Sequence, residues 1–346
     1  MINQDIIIQK DSELKVALIK LNVNTDMQTL MVEDKGKIIG TITDGDIRRG
    51  LINGLSNKDK VSDFMLTTFT FLQKGIYDKN KLNFIKEKQL KIVPELNADG
   101  SLFRIIDFKK TKTILPVDAV IMAGGVGSRL MPLTKNTPKP MLEVGGKPIM
   151  EYNVDLLKSY GISHLTLSVK YLKEIIENYY KDGSNKKMNI SYVTEDEPSG
   201  TIGAVKQIKK FHNDYILVMN SDLLTNINLE AMFNELEKDS ADMIIATTDY
   251  QVQIPYGVIE SDGNLVKALK EKPTYTYYSN AGIYIFKKHL VDLIPDNSFF
   301  NATDFLDKLI DLNKKVLHFP IKRYWLDIGK HVDFEKAQRD VDSITF

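Results

Sequence analysis

The chain contains no cysteine, which excludes disulfides and thiolate zinc sites and leaves its redox compartment open. Neither sign of charge is in excess: Lys plus Arg and Asp plus Glu both total 46, so no global basic field favours nucleic acid as a partner. No apolar run reaches the length of about 18 residues that a membrane-spanning helix needs. The first residues, MINQDIIIQKDSE, lack the basic start and apolar core of a signal peptide, so we expect a cytoplasmic protein with no membrane attachment. Histidine is scarce, and positions 164, 212, 289, 318 and 331 fall at no metal-binding spacing. No serine sits in a recognisable nucleophile motif, which with the missing cysteine argues against a covalent intermediate. Core-forming material is plentiful: 346 residues, 43% of them hydrophobic, suggest two or three domains.

A polar basic run, KKTKT at residues 109–113, reads as a linker. Beyond it, apolar runs near 117–122, 164–169 and 215–219 alternate with helical patterns at 149–160 and 172–180. That alternation predicts an α/β domain with a mostly parallel sheet covered by helices on both faces. Ligands of such sheets bind beyond the carboxyl ends of the strands. One such end carries the stretch Val120 to Pro148, VIMAGGVGSRLMPLTKNTPKPMLEVGGKP, where a buried strand runs into a glycine-rich loop. Gly124, Gly125 and Gly127 leave backbone amides free to face phosphate oxygens. Arg129 adds a planar fork suited to phosphate, and Lys139 a compact charge between Pro138 and Pro140. A dinucleotide fingerprint would need its third glycine at Leu130, and a P-loop would need Gly-Lys-Ser/Thr, so neither motif is present.

This stretch resembles the signature of the sugar-1-phosphate nucleotidyltransferases, which join a nucleoside triphosphate to a sugar phosphate and release pyrophosphate. The resemblance runs from about Pro116 onward and implies a Rossmann-like nucleotidyltransferase domain. It assigns Ala123, Gly124, Gly125 and Gly127 to the nucleotide, and Arg129 and Lys139 to catalysis. Asp222, closing the strand of YILVMNSD at 215–222, and Asp327, within WLDIG at 325–329, match the family's magnesium ligands. Serine stands at 221 where the family more often has glycine. Mg2+ takes one or two carboxylates plus phosphates and water, so two aspartates suffice. Gly257 in YGVIE, Glu271 and Lys272 in EKP, and Asn280 in NAG resemble the segments that contact the sugar and its phosphate.

The base is expected to meet EDEPSGTIGA at 195–204, closest to the guanylyltransferase version of the family's base-holding turn. Guanine offers N1 and N2 donors on one edge, which an acceptor-only carboxylate such as Glu197 suits, with Gly200 at the turn. Thymine or uracil would suit a group that both donates and accepts. The expected substrates are therefore GTP and a hexose 1-phosphate, with mannose 1-phosphate as the other acceptor and uridylyl or thymidylyl transfer as the other chemistry. A non-catalytic nucleotide-sugar sensor is the alternative of another class.

The first third reads differently. Leu30 to Gly40 finds a weak echo in Val93 to Arg104, each half reading as strand, turn glycine, strand. With GTITDGD at 40–46, this resembles an α+β tandem CBS (Bateman) module over 1–112, followed by a linker at 113–116 and the catalytic domain at 117–346. In that family, Thr43 and Asp46 would hold the ribose of an adenine nucleotide. Arg104, Asp107 and Lys110 depart from the pattern in the second half, so at most one ordinary nucleotide site is expected, and a role in packing or dimerisation stays open. The domain order resembles the glucosamine-1-phosphate guanylyltransferases of legionaminic acid (nonulosonate) biosynthesis, and a homo-oligomer is expected.

Overall fold

A computed structural model describes residues 4–23 and 28–344. The chain divides into two compact units, Met1–Ile114 and Leu115–Phe346.

The first unit uses one arrangement twice. Strand Ile7–Gln9, helix Leu14–Val23 and the antiparallel hairpin Thr29–Asp34/Lys37–Thr43 come first, with Ile7–Gln9 running parallel to Thr29–Asp34. Leu72–Gln73, helix Lys79–Glu87 and the hairpin Ile92–Leu96/Leu102–Asp107 then repeat the order and the strand directions. Each hairpin has a register shift, between Val32 and Glu33 in one and between Glu95 and Leu96 in the other. The turns themselves meet where the Ile38 amide donates to the Gly100 carbonyl at 3.1 Å. After the first hairpin the chain enters helix Asp44–Ile52, whereas the second hairpin is followed by a turn at 108–110.

The second unit is built on a seven-stranded sheet in the order 189–194, 164–169, 117–123, 215–220, 274–287, 243–253, 316–320. Every neighbouring pair is parallel except the two that involve Thr274–Lys287, so one strand runs against the other six. Val117–Ala123 lies inside with six of its seven residues buried, as a strand covered on both faces must be. The helices on the sheet are amphipathic: Leu229–Lys238, packed on Met243–Gln253, turns Leu229, Met232, Phe233 and Leu236 inward at helical spacing, and Asn228 caps it by accepting from the Ala231 amide at 3.0 Å. On Ala302–Asp311, Phe305 and Leu309 join Val120, Val218 and Phe286 in a single core.

Two strands outrun the sheet. Beyond Thr247 and Asn280, the partners Met243–Gln253 and Thr274–Lys287 continue as a two-stranded arm whose outer residues are mostly exposed. The hairpin Val258–Asp262/Leu265–Lys270 follows at its far end. No helix among the described residues is long and apolar enough to cross a membrane.

Candidate functional site

Beyond the carboxyl ends of the central strands, distant chain segments converge. Gly127 takes a left-handed backbone (φ 69°), and a side chain there would lie 2.9 Å from the Lys139 Cβ, so glycine lets the loop close over the lysine. Thr134 donates from Oγ1 to the Gly127 carbonyl at 3.0 Å and fixes that approach. Lys139 opens a short 3-10 turn followed by Pro140, and its Nζ forms an ion pair with Asp222.

Asp222 follows the strand Tyr215–Asn220, and the next three residues pair antiparallel with Trp325–Asp327, setting Leu223 opposite Asp327. The Ile328 amide donates to the Asp222 carbonyl at 3.0 Å, which holds the two aspartate backbones together. Arg129 completes the group: a side chain at Gly329 would meet both terminal guanidinium nitrogens of Arg129 at 3.5 Å and the Asp327 Oδ1 at 3.4 Å. Burial and the neighbouring Asp222 charge push the Asp327 carboxyl up to about 6, against the opposing pull of Lys139 and Arg129. Each aspartate also keeps one buried oxygen, Oδ1, without a hydrogen-bond partner. Two orphaned carboxylate oxygens, on aspartates whose backbones are bonded side by side, are a donor set that fits a hard divalent cation with open positions for phosphate and water. No cluster of three or more His, Cys, Asp or Glu ligands occurs among the described residues.

On the other side of the glycine loop lies Glu195, just past the strand Asn189–Thr194 and 6% exposed. Its carboxylate accepts from Ser168 Oγ and from the Ser199 amide at 2.9 Å. A side chain at Gly124 would strike Glu195 Oε1 at 2.7 Å, so the loop passes directly over this carboxylate. Glu197 points the other way: its side chain is 94% exposed, with Lys170 Nζ 4.0 Å away. Gly200 has φ 77°, and any Cβ there would lie 2.5 Å from the Phe300 carbonyl oxygen. The turn is further stapled by Thr201 Oγ1, which accepts from the Ala302 amide at 2.8 Å.

The remaining residues singled out in the sequence fall in three places. Gly257 and Glu271 meet at the exposed arm, where a Cβ on Gly257 would sit 3.2 Å from Glu271 Oε2. Lys272, next in line, has a left-handed backbone (φ 43°), as do Lys35, Lys181 and Lys187 at other turns of the chain. Asn280 stands at the arm's root, opposite Thr247, and its Oδ1 accepts from the Gly282 amide at 2.9 Å. Gly282 in turn leaves room for Asn220, whose amide nitrogen would lie 2.5 Å from a Cβ there, and the adjacent Ala281 carbonyl accepts from Trp325 Nε1 at 2.9 Å. Asn280 thus reaches the strands of both aspartates through Asn220 and Trp325. Neither of those two was singled out from the sequence, nor was Glu195 as distinct from its acidic neighbours; its one signal is that it is the first of the three, directly after the strand Asn189–Thr194. In the first unit, Thr43 and Asp46 are bonded to each other. Asp46 Oδ2 accepts from the Thr43 amide at 2.8 Å and from Thr43 Oγ1 at 2.6 Å, and Oδ1 pairs with Arg49. Together they cap helix Asp44–Ile52.

Comparison with known proteins places this site in a context. Residues 118–343 match the family described as Nucleotidyl transferase. The mannose-1-phosphate guanylyltransferase of Mycobacterium tuberculosis is 32% identical over 231 residues, covering 65% of this chain and 64% of that protein. The D-glycero-alpha-D-manno-heptose 1-phosphate guanylyltransferase of Aneurinibacillus thermoaerophilus is also 32% identical, over 65% of this chain and 98% of its own length. The structure of HddC from Yersinia pseudotuberculosis complexed with GMP-PN superposes with a TM-score of 0.50 at 26% identity, over 65% of this chain and 99% of that one. The chain therefore spans all but a little of two of these relatives and about two thirds of the third.

Proposed function

From the premise that the chain belongs to the nucleotidyl transferase family, we propose that it transfers a nucleotidyl group to a hexose 1-phosphate, giving a nucleotide sugar and pyrophosphate. The observation that carries this reading is the meeting of Arg129, Lys139, Asp222 and Asp327 at the end of a glycine loop. An oxygen of the sugar phosphate attacks the α-phosphorus, a new P–O bond forms, and the bond to the β-phosphate oxygen breaks in line. The nucleophile is already ionised near neutral pH and needs no base from the protein. Holding two anions in line is the greater task, and the glycine loop, Arg129 and Lys139 meet it with backbone amides and two fixed cations. Asp222 and Asp327 would hold Mg2+, which when bound neutralises charge on the α-phosphate and the sugar phosphate.

For the base we propose guanine. A carboxylate can accept both donors of the guanine edge, and the relatives above that act on mannose and heptose 1-phosphates are guanylyltransferases. Glu197 is the carboxylate proposed to accept both donors, exposed at the rim of a turn held by Gly200 and by Glu195, whose own oxygens are bonded to Ser168 and Ser199 beneath the glycine loop. Gly257, Glu271, Lys272 and Asn280 are proposed to take the sugar and its phosphate, with glucosamine 1-phosphate as first acceptor, for nonulosonate or other surface-glycan synthesis, and mannose 1-phosphate as second. The first unit is proposed to be a CBS pair. Its capped Thr43 and Asp46 favour a role in assembly, and calorimetric titration of the whole chain with AMP and ATP tests that role, since heat of binding would restore a nucleotide site.

Pyrophosphate release with Mg2+ across four nucleoside triphosphates and the 1-phosphates of glucosamine, N-acetylglucosamine, mannose and glucose tests the whole reading. A strong signal with GTP and one sugar is expected. Signal with UTP or dTTP instead overturns the base assignment, and silence throughout favours the sensor.

A further inference from the structure

Lys139 and Asp222 face a conflict of roles. As a phosphate-binding cation the lysine should point at the triphosphate, and as a metal ligand the aspartate should be free. The two are instead bonded to each other, with side chains only 11% and 17% exposed. Across from them Arg129 lies beside Asp327, so two cations stand against the two carboxylates. A buried charge is costly without a partner, and this arrangement supplies one to each aspartate. It also means that a divalent cation and the Lys139 ammonium compete for the same carboxylate.

We propose that Lys139 is the resident counter-ion of the metal site, so that divalent metal binds weakly until a triphosphate draws the lysine away. Metal and nucleotide then load together by an exchange of partners, in which the carboxylate passes from lysine to metal and the lysine passes to phosphate. Because coupling between two ligands is reciprocal, whatever favours the freed lysine favours the metal by the same factor. The inference rests on the reading of Asp222 and Asp327 as metal ligands, and it concerns binding in the absence of any turnover.

The test is Mn2+ titration of the full chain without nucleotide, followed by quenching of Trp325, the only tryptophan in the sequence and two residues from Asp327. Lys139→Met should bind Mn2+ about tenfold more tightly than the unaltered protein, within the usual range of coupling between sites. Lys139→Arg should stay close to the unaltered protein, and Lys139→Gln, checked for folding by circular dichroism, serves in place of Lys139→Met if that variant does not fold. Equal Mn2+ affinity in the charge-free variants and the unaltered protein overturns the inference while leaving the metal reading intact. Mn2+ binding that survives unchanged in Asp222→Asn overturns both, and the pyrophosphate assay above reports separately on the proposed reaction.

Discussion

Asp46 and Asp222 are both largely buried, both sit beside a cation, and differ in what their second oxygen does. In Asp46 both oxygens are used: the Thr43 amide and hydroxyl meet Oδ2, and Arg49 meets Oδ1. In Asp222 the Lys139 ammonium meets Oδ2 while Oδ1 is buried with no hydrogen-bond partner, a condition repeated in Asp327. A protein that leaves a buried carboxylate oxygen unbonded gives up stability at that position. The contrast separates a carboxylate whose bonds hold a helix end from one that keeps an oxygen unbonded, as the proposed metal site requires.

Substitutions can break this contrast from either side. The largest expected effect is at Asp222: Asp222→Asn should lower the rate of pyrophosphate release by about 10²-fold or more, since a metal ligand supplies several kcal/mol to the transition state. Thermal unfolding of the metal-free protein should at the same time come earlier, because Lys139 then keeps a buried charge without its partner, and Mn2+ quenching of Trp325 should be lost. Retained pyrophosphate release and retained Mn2+ binding in this variant would place Asp222 with Asp46 as a structural carboxylate. Next in size is Glu197→Gln, which changes an acceptor-only group into one that donates and accepts. Selectivity for GTP over UTP, measured as the ratio of kcat/KM, should fall by about tenfold or more, as loss of a hydrogen-bonded base contact predicts. An unchanged ratio would overturn the assignment of the base to Glu197.

A third change separates the aspartates by pH. The Asp327 carboxyl is raised in the folded state from 3.8 to about 6, so the folded chain binds more protons than the unfolded one between those values. Stability from this group is full below pH 3.8 and is lost as pH rises through about 6. Asp327→Asn should therefore stabilise the metal-free protein near pH 7 by about 1 kcal/mol and have little effect near pH 4, read from unfolding midpoints at the two values. A gain that is equal at both pH values would mean that charge is not its cause. The smallest effect is at the cap: Thr43→Ala should cost about 1 kcal/mol of stability in the first unit, with kcat unchanged. A drop in kcat without a drop in stability would reassign Thr43 to a ligand.

Much of the second unit was legible in the chain. The strands at 117–122, 164–169 and 215–219 and the helix from 149 announced themselves by apolar runs and helical spacing, because a strand buried on both faces leaves no room for polar residues. The glycine loop was legible for a local reason too, since left-handed backbone and close approach select glycine at Gly127. Less visible was the direction of Thr274–Lys287, where Ile283 to Phe286 reads as a buried strand whichever way it runs. The mostly parallel sheet expected from the sequence accordingly holds one reversed strand.

By itself, then, the sequence determined several of the central strands, where the loop would be tight, and which charges would be available near it. The tertiary structure decided which of those charges meet. Asp222 and Asp327 come together through the pairing of Leu223–Thr225 with Trp325–Asp327, a contact between segments far apart in the chain. Glu195 turns inward while Glu197 turns to solvent because Ser168, Ser199 and the Gly124 backbone surround the first and not the second. Local propensity acts through neighbours in the chain and so leaves its mark on composition and spacing. The bonding of a buried carboxylate depends on neighbours in space, and those are set only when the sheet has formed.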